Sequence, residues 1–176
     1  MSEFRITLLP INPEYADEMF RVLSAPEIYE FIPESPPASV QTLRDRYHLL
    51  SSARSPDGSE VWLNWVIRNI MTHGLIGYVQ ATVFPIDLRA DIAYVLHPSE
   101  WGHGLGREAC QLMILELQKT FSIKLLRATI DSKNMRSIRL MKRLGFKQTR
   151  FKHNAEMIRG VSRDEIIMEK PIMIDL

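Results

Sequence analysis

Phe4-Arg5-Ile6-Thr7-Leu8-Leu9 alternates with a period of two and stops at Pro10, the pattern of a short strand. Asn12-Pro13-Glu14 then offers a capping side chain, a proline suited to the first helical position and an acid in the first turn. Ala16, Met19, Phe20 and Leu23 follow at helical spacing until Pro26 ends the pattern. From Glu27 to Pro37, prolines and glutamates lie among Ile28, Tyr29, Phe31 and Ile32, which predicts an ordered loop with apolar anchors. Val40, Leu43, Tyr47 and Leu50 mark one side of a helix over Ser39 to Ser52, and Arg54 to Ser59 is a turn cluster.

The period then returns to two. Val61 to Arg68, Leu75 to Phe84 and Asp91 to Leu96 are rich in β-branched and aromatic residues, and their short connections favour antiparallel pairing. After Gly106 the spacing becomes helical again, with Cys110, Met113, Ile114, Leu117 and Phe121 on one face. A strand over Leu125 to Ile130, a helix from about Asn134 to Leu144 closed by Gly145, and a strand in Glu165 to Lys170 complete the chain. A meander followed by β-α-β-α predicts a layered α/β (α+β) domain with a mixed sheet.

Composition narrows the class. The chain has 176 residues, 45% of them hydrophobic, with a net charge of +1, which suits one core spanning residues 1–176. The balanced charge gives no footprint for a nucleic-acid binder. Cys110, the single cysteine, excludes a disulfide framework or a zinc site built on several thiolates, and fits a reducing cytoplasm. The most apolar stretch, Leu75 to Ile86, is interrupted by Gly77, Gln80, Thr82 and Pro85, so no segment reads as a bilayer-spanning helix. Met1-Ser2-Glu3-Phe4-Arg5 does not read as a signal peptide.

The chemistry concentrates where a strand, Tyr94-Val95-Leu96-His97, runs through Pro98 into Trp101-Gly102-His103-Gly104-Leu105-Gly106-Arg107 and a helix. A helix start leaves N–H groups unpaired and carries partial positive charge, and glycines let those groups approach a phosphate. The loop lacks the Gly-Lys-Ser/Thr ending of a P-loop, and Arg107 stands where a dinucleotide fingerprint needs its third glycine. A tight turn whose glycines serve only backbone geometry is the plain alternative.

Trp101 to Gly106 resembles the acetyl-CoA pyrophosphate loop of the GNAT superfamily of N-acetyltransferases, with Trp101 in the first position of its Gln/Arg-x-x-Gly-x-Gly/Ala pattern. Asn134-Met135-Arg136-Ser137, Leu144-Gly145-Phe146 and Ala155-Glu156-Met157-Ile158-Arg159-Gly160 resemble elements of the branch that acetylates N-terminal amines of ribosomal proteins. The resemblance runs from about residue 75 onward. It implies the GNAT fold, a mixed sheet of six to seven strands with helices on both faces, and a cytoplasmic enzyme. It further implies direct transfer of acetyl from acetyl-CoA to a primary amine, without a metal.

Under that resemblance, Val95, Leu96 and His97 on a splayed strand, the loop Trp101 to Arg107 and Asn134 hold the cofactor. An ordinary buried strand, and a purely capping Asn134, are the alternatives. Many GNAT enzymes carry a tyrosine acid where this chain has Met141, which cannot transfer a proton. Ser137 then becomes the candidate acid, or only a backbone hydrogen bonder, and Glu156 the candidate base acting through water. His103 reads as a backbone contributor, and His153 is a further titratable option near the acceptor.

Cys110 reads as a buried thiol, and Trp62 and Trp65, at odd spacing, face opposite sides of their strand. Lys142, Arg143, Lys147 and Arg150 read as a solvated face or a contact to the 3′-phosphate of coenzyme A or to RNA. Glu27, Glu30 and Glu34 form either a solvated surface or an acidic mouth for a cationic amine. The acceptor expected first is a protein N-terminal α-amine, of ribosomal type. A polyamine or aminoglycoside comes second, and a non-catalytic acyl-CoA-binding module third. A homodimer closing the acceptor cleft is compatible with the sequence, whereas DNA and membrane partners are not expected.

Overall fold

The computed structural model describes residues 4–55 and 57–172. Met1, Ser2 and Glu3 of the leader reading and Pro56 of the turn cluster lie outside the described residues. One seven-stranded sheet organises the chain: β1 (Ile6–Pro10), β2 (Val61–Asn69), β3 (Leu75–Phe84), β4 (Arg89–Leu96), β5 (Leu125–Asp131), β6 (Lys147–Ile158) and β7 (Val161–Pro171). Its spatial order is β1-β2-β3-β4-β5-β7-β6. Every pairing is antiparallel except that of β4 with β5. The helices are α1 (Ala16–Leu23), α2 (Val40–Leu50), α3 (Leu105–Thr120) and α4 (Met135–Arg143).

Period-two alternation sends successive side chains to opposite faces. Val66 and Tyr78 join Met19, Leu43 and Tyr47 in a core under α1 and α2. Their neighbours Ile67 and Val79 join Met113, Leu117 and Met141 under α3 and α4. Helices therefore cover both faces, and the two cores share the sheet as their wall. Trp65 packs against the α3 side, while the Trp62 indole donates to Glu60 at 2.8 Å. None of the helices is long and apolar enough to cross a membrane, among the described residues.

The feature that positions the site is a divergence in the middle of the sheet. β4 pairs with β5 only where Arg89–Asp91 meets Leu125–Arg127. Beyond that point β4 follows β3 as far as Leu96, and β5 follows β7 as far as Asp131. The facing backbone edges are left unpaired with each other, and a cleft opens between them. Gly77 helps to hold β4 on β3 here, because a Cβ at that position would run into the Val95 carbonyl oxygen.

One strand escaped the sequence reading. β6 is a twelve-residue edge strand in which every residue but Ile158 is exposed. With no buried face it shows no alternation, and its register with β7 slips at Gln148/Arg150 and Lys152/Glu156. The same pairing extends β7 back to Val161, earlier than its hydrophobic run suggests. The ordered loop after Pro26 is a 3-10 turn, Pro26–Phe31, that buries Ile28 and Tyr29.

Candidate active site

The cleft has a volume of about 700 Å³ and lies between the open end of β4, the glycine loop, the start of α4 and the Pro26–Phe31 turn. Val95 and Leu96 line it from β4. Gly102, Gly104 and Gly106 line it from the loop. Gly102 and Gly104 have φ of +82° and +83°, left-handed conformations that a side chain would strain. Gly106 serves packing: a Cβ there would press on Leu140, Leu96 and Tyr94 at 3.1–3.3 Å. That close approach seats the start of α3 against both β4 and α4.

Residues around the loop hold its shape. The Arg5 guanidinium donates to the His103 carbonyl at 2.8 Å and pairs with the Glu108 carboxylate, while the Arg5 N–H donates to Glu108 at 3.0 Å. The Trp101 indole N–H donates to the Leu96 carbonyl at 2.9 Å, and the Arg136 guanidinium lies 3.7 Å over its ring. Trp101 thus brackets β4 and α4 together. Arg5 left no signal in the sequence, since it meets the loop only through the fold.

Several expected contacts fall elsewhere. His97 does not line the cleft; its N–H pairs with the Ile76 carbonyl and its Nδ1 lies 2.8 Å from Ser99 Oγ, capping the 3-10 turn Pro98–Glu100. The His103 ring and Leu105 are also outside the lining, Leu105 because it is buried in the core. The Arg107 N–H is used by the Gly104 carbonyl at 3.1 Å, and Arg107 is among the residues that line the cleft. What remains for an anion are the N–H groups at the first positions of α3, which have no intrahelical acceptor.

Asn134 caps α4 by accepting the Ser137 N–H at 3.1 Å, and both residues line the cleft. Capping and a cleft position therefore coincide. Met141 is buried in the core. On β4, Tyr94 lines the cleft, with its phenol close to Ser137. Burial pushes the Tyr94 phenol up to about 12, the Ser137 hydroxyl pulling the other way. The signal for Tyr94 was its period-two companionship with Ile92 and Leu96, which turns it toward α3 and α4.

Charge in the cleft is divided. Arg136, Arg139 and Arg143, spaced three and four apart, present one face of α4 to it, with Lys133 and Arg107 nearby. Glu27 and Glu30 line it from the 3-10 turn, while Glu34 lines a second cavity under α2. Lys142, Lys147 and Arg150 do not line the cleft. Glu156 is exposed on β6, and its carboxylate accepts the Met157 N–H at 3.0 Å; the structure does not bring it into the cleft beside Ser137. His153 is exposed on the same strand, 3.8 Å from Asp164. Cys110 is fully buried, and desolvation pushes its thiol up to about 12, so it is no nucleophile.

Free helix-start amides, left-handed glycines and a cationic wall fit a diphosphate with a further phosphate, and the unpaired β4 edge fits an amide-bearing arm. The match to a known family decides the matter: residues 5–147 match the family described as acetyltransferase (GNAT) domain. The chain belongs to the GNAT acetyltransferases. As a member of that family it is an acetyl-CoA-dependent N-acetyltransferase. It is 25% identical over 157 residues to the uncharacterized N-acetyltransferase p20 of Bacillus licheniformis, covering 89% of this chain and 86% of that one.

Among solved structures, the GNAT fold here is similar to the ribosomal-protein-S5-alanine acetyltransferase of Vibrio fischeri, with a TM-score of 0.83 at 18% identity over 97% of this chain and 95% of that one. It is equally similar to a microcin C7 self-immunity acetyltransferase solved with acetyl-CoA and AMP: TM-score 0.83 and 22% identity, covering 97% and 95%.

Proposed function

We propose that this GNAT enzyme acetylates the N-terminal α-amine of a protein, with acetyl-CoA held along the open edge of β4. The observation that carries the donor site is the parting of β4 from β5 directly beside the glycine loop. Support for the acceptor class comes from the ribosomal-protein acetyltransferase among the structural neighbours and from the Asn134-to-Ser137 and Ala155-to-Gly160 resemblances. Acetyl-CoA supplies an activated thioester. Val95 and Leu96 hold its arm, and Gly102 to Gly106 with the α4 arginines hold its phosphates.

Glu27 and Glu30 attract the protonated amine to the cleft. Glu156 takes the amine proton through water. The resemblance of Ala155 to Gly160 is what supports this role, since the carboxylate itself stands outside the cleft on the exposed edge strand. Ser137 Oγ and the Tyr94 phenol, both in the cleft, return a proton to the departing sulfur. A small polycationic amine is the second reading, favoured by the pair of cleft carboxylates.

Thiol release from acetyl-CoA, followed with peptides of free and blocked N-termini and with polyamines and aminoglycosides, separates these readings. Free-amine peptides should give at least about tenfold higher kcat/KM than any small amine, and Glu156→Gln should lower kcat about a hundredfold with the acetyl-CoA KM unchanged. Faster turnover of a polyamine, or acetyl found on lysine side chains instead of the terminus, overturns the α-amine assignment.

A further inference from the structure

A second cavity, of about 250 Å³, lies on the face of the sheet covered by α1 and α2, between α2 and strands β2 and β3. Its floor is Asn64, Tyr78 and Gln80, with Asn64 and Gln80 directly opposite each other across the two strands. Its roof is Arg46 and Tyr47 of α2. The cavity and the cleft are lined by neighbouring residues at two places. Ile28 faces the cleft and Tyr29 the cavity from one 3-10 turn, and Tyr78 of the cavity pairs with Val95 of the cleft. The loop between them is tied from the β6–β7 hairpin, where Arg159 donates to the Ile32 and Glu34 carbonyls at 3.4 and 3.5 Å.

Tyr47 is 3% exposed, and its hydroxyl has no hydrogen-bond partner among the described residues. The comparable Tyr29 hydroxyl does have one, the Leu23 carbonyl at 2.8 Å. A buried hydroxyl left unpaired is costly, and an accepting oxygen on a bound ligand is one way to complete it. Desolvation raises the Tyr47 phenol, so it remains an O–H donor, and the Arg46 guanidinium can only donate. Two donors at the roof ask for an accepting oxygen. Most of the remaining wall, Ile11, Leu23, Leu43, Leu50 and two prolines, asks for an apolar body, with Glu34, Ser35 and Thr42 as its polar members. The volume admits a ring, since a cavity of about 150 Å³ already takes benzene.

From this we infer that the cavity is the specificity subsite for the acceptor, receiving the side chain next to the reacting amine: a ring-sized, largely apolar group tipped by an oxygen that accepts from Tyr47. The inference rests on the transferase reading above and sharpens its substrate class. Peptides beginning with Ala, Phe and Tyr, otherwise identical, test it through kcat/KM for turnover and through calorimetric binding in the presence of coenzyme A.

The Phe peptide should exceed the Ala peptide by about thirtyfold, and the Tyr peptide should exceed Phe by roughly fivefold. Tyr47→Phe should erase the Tyr-over-Phe preference while leaving the Phe-over-Ala preference and the acetyl-CoA KM in place. Leu50→Phe, which narrows the cavity, should penalise the Phe and Tyr peptides and spare Ala. A merely structural Tyr47 would leave all the ratios unchanged, and that result overturns the inference. Equal turnover of the three peptides by the wild-type chain overturns the subsite alone. Binding in the stated order without thiol release overturns the transferase reading and leaves the subsite standing. Neither binding nor release overturns both.

Discussion

Tyr94 and Ser137 meet from different elements, and each owes its place to a local rule. Ser137 follows the Asn134 cap by three residues, which sets it on the same end of α4. Tyr94 alternates with Ile92 and Leu96 and so faces α3 and α4. Removing either hydroxyl should lower kcat about tenfold, and Tyr94→Phe with Ser137→Ala together should lower it about a hundredfold or more, with the acetyl-CoA KM within about twofold. Steady-state kinetics on the two single variants and the double reads this directly. Undiminished kcat in the double variant would remove both from the proton path. Ser137 was legible through its motif. The Tyr94–Ser137 encounter was not, because Met141 in the core says only that the usual tyrosine is missing.

Among elements, the glycine loop depends on a residue far from it in the chain. Arg5, just before β1, ties the His103 carbonyl and the Glu108 carboxylate, and so holds the loop in shape beside the cleft. Arg5→Ala should raise the Kd for coenzyme A about three- to tenfold, because the loop must then be ordered by the ligand itself. The surface ion pair alone contributes little to stability, so the melting temperature should move only slightly. Calorimetric titration beside a thermal melt separates the two effects, and an unchanged Kd would mean that the loop holds its own shape. The helices and inner strands were legible in their periodicities. β6 was not, since an edge strand without a buried face carries no alternation, and its place beside β7 is settled by pairing.

At the scale of the molecule, two cores against one sheet bury groups that titrate late. Burial pushes Cys110 from an ordinary 9.0 to about 12 and Tyr94 from 10.0 to about 12, and it raises Tyr47 and Tyr78 further. These groups are neutral when protonated, and the folded chain keeps their protons longer than the unfolded one. Their contribution to stability is therefore whole below pH 9, and it falls as pH rises through the folded values. The slope is up to about 1.4 kcal/mol per pH unit for each ionising group. Urea midpoints measured from pH 7 to 11 should be flat at first and then decline from about pH 9. Cys110→Ala should remove the first part of that decline and leave the part that begins near pH 10. A Cys110→Ala profile parallel to wild type throughout would show that the thiol is not what titrates.

Sequence alone determined the local grammar: the strand and helix periods, the capped start of α4, the glycine loop, and the motifs that mark the family. These follow from backbone sterics and from apolar spacing within a few residues, so they can be read without a fold. The tertiary structure decided everything that depends on separation between elements. It parted β4 from β5 to make a cleft, set Arg5 on the loop and Tyr94 against Ser137, turned His97 to a cap, and left Glu156 on an exposed edge. Such contacts join residues distant along the chain, and only the packing of two helical layers on one twisted sheet fixes which of them meet.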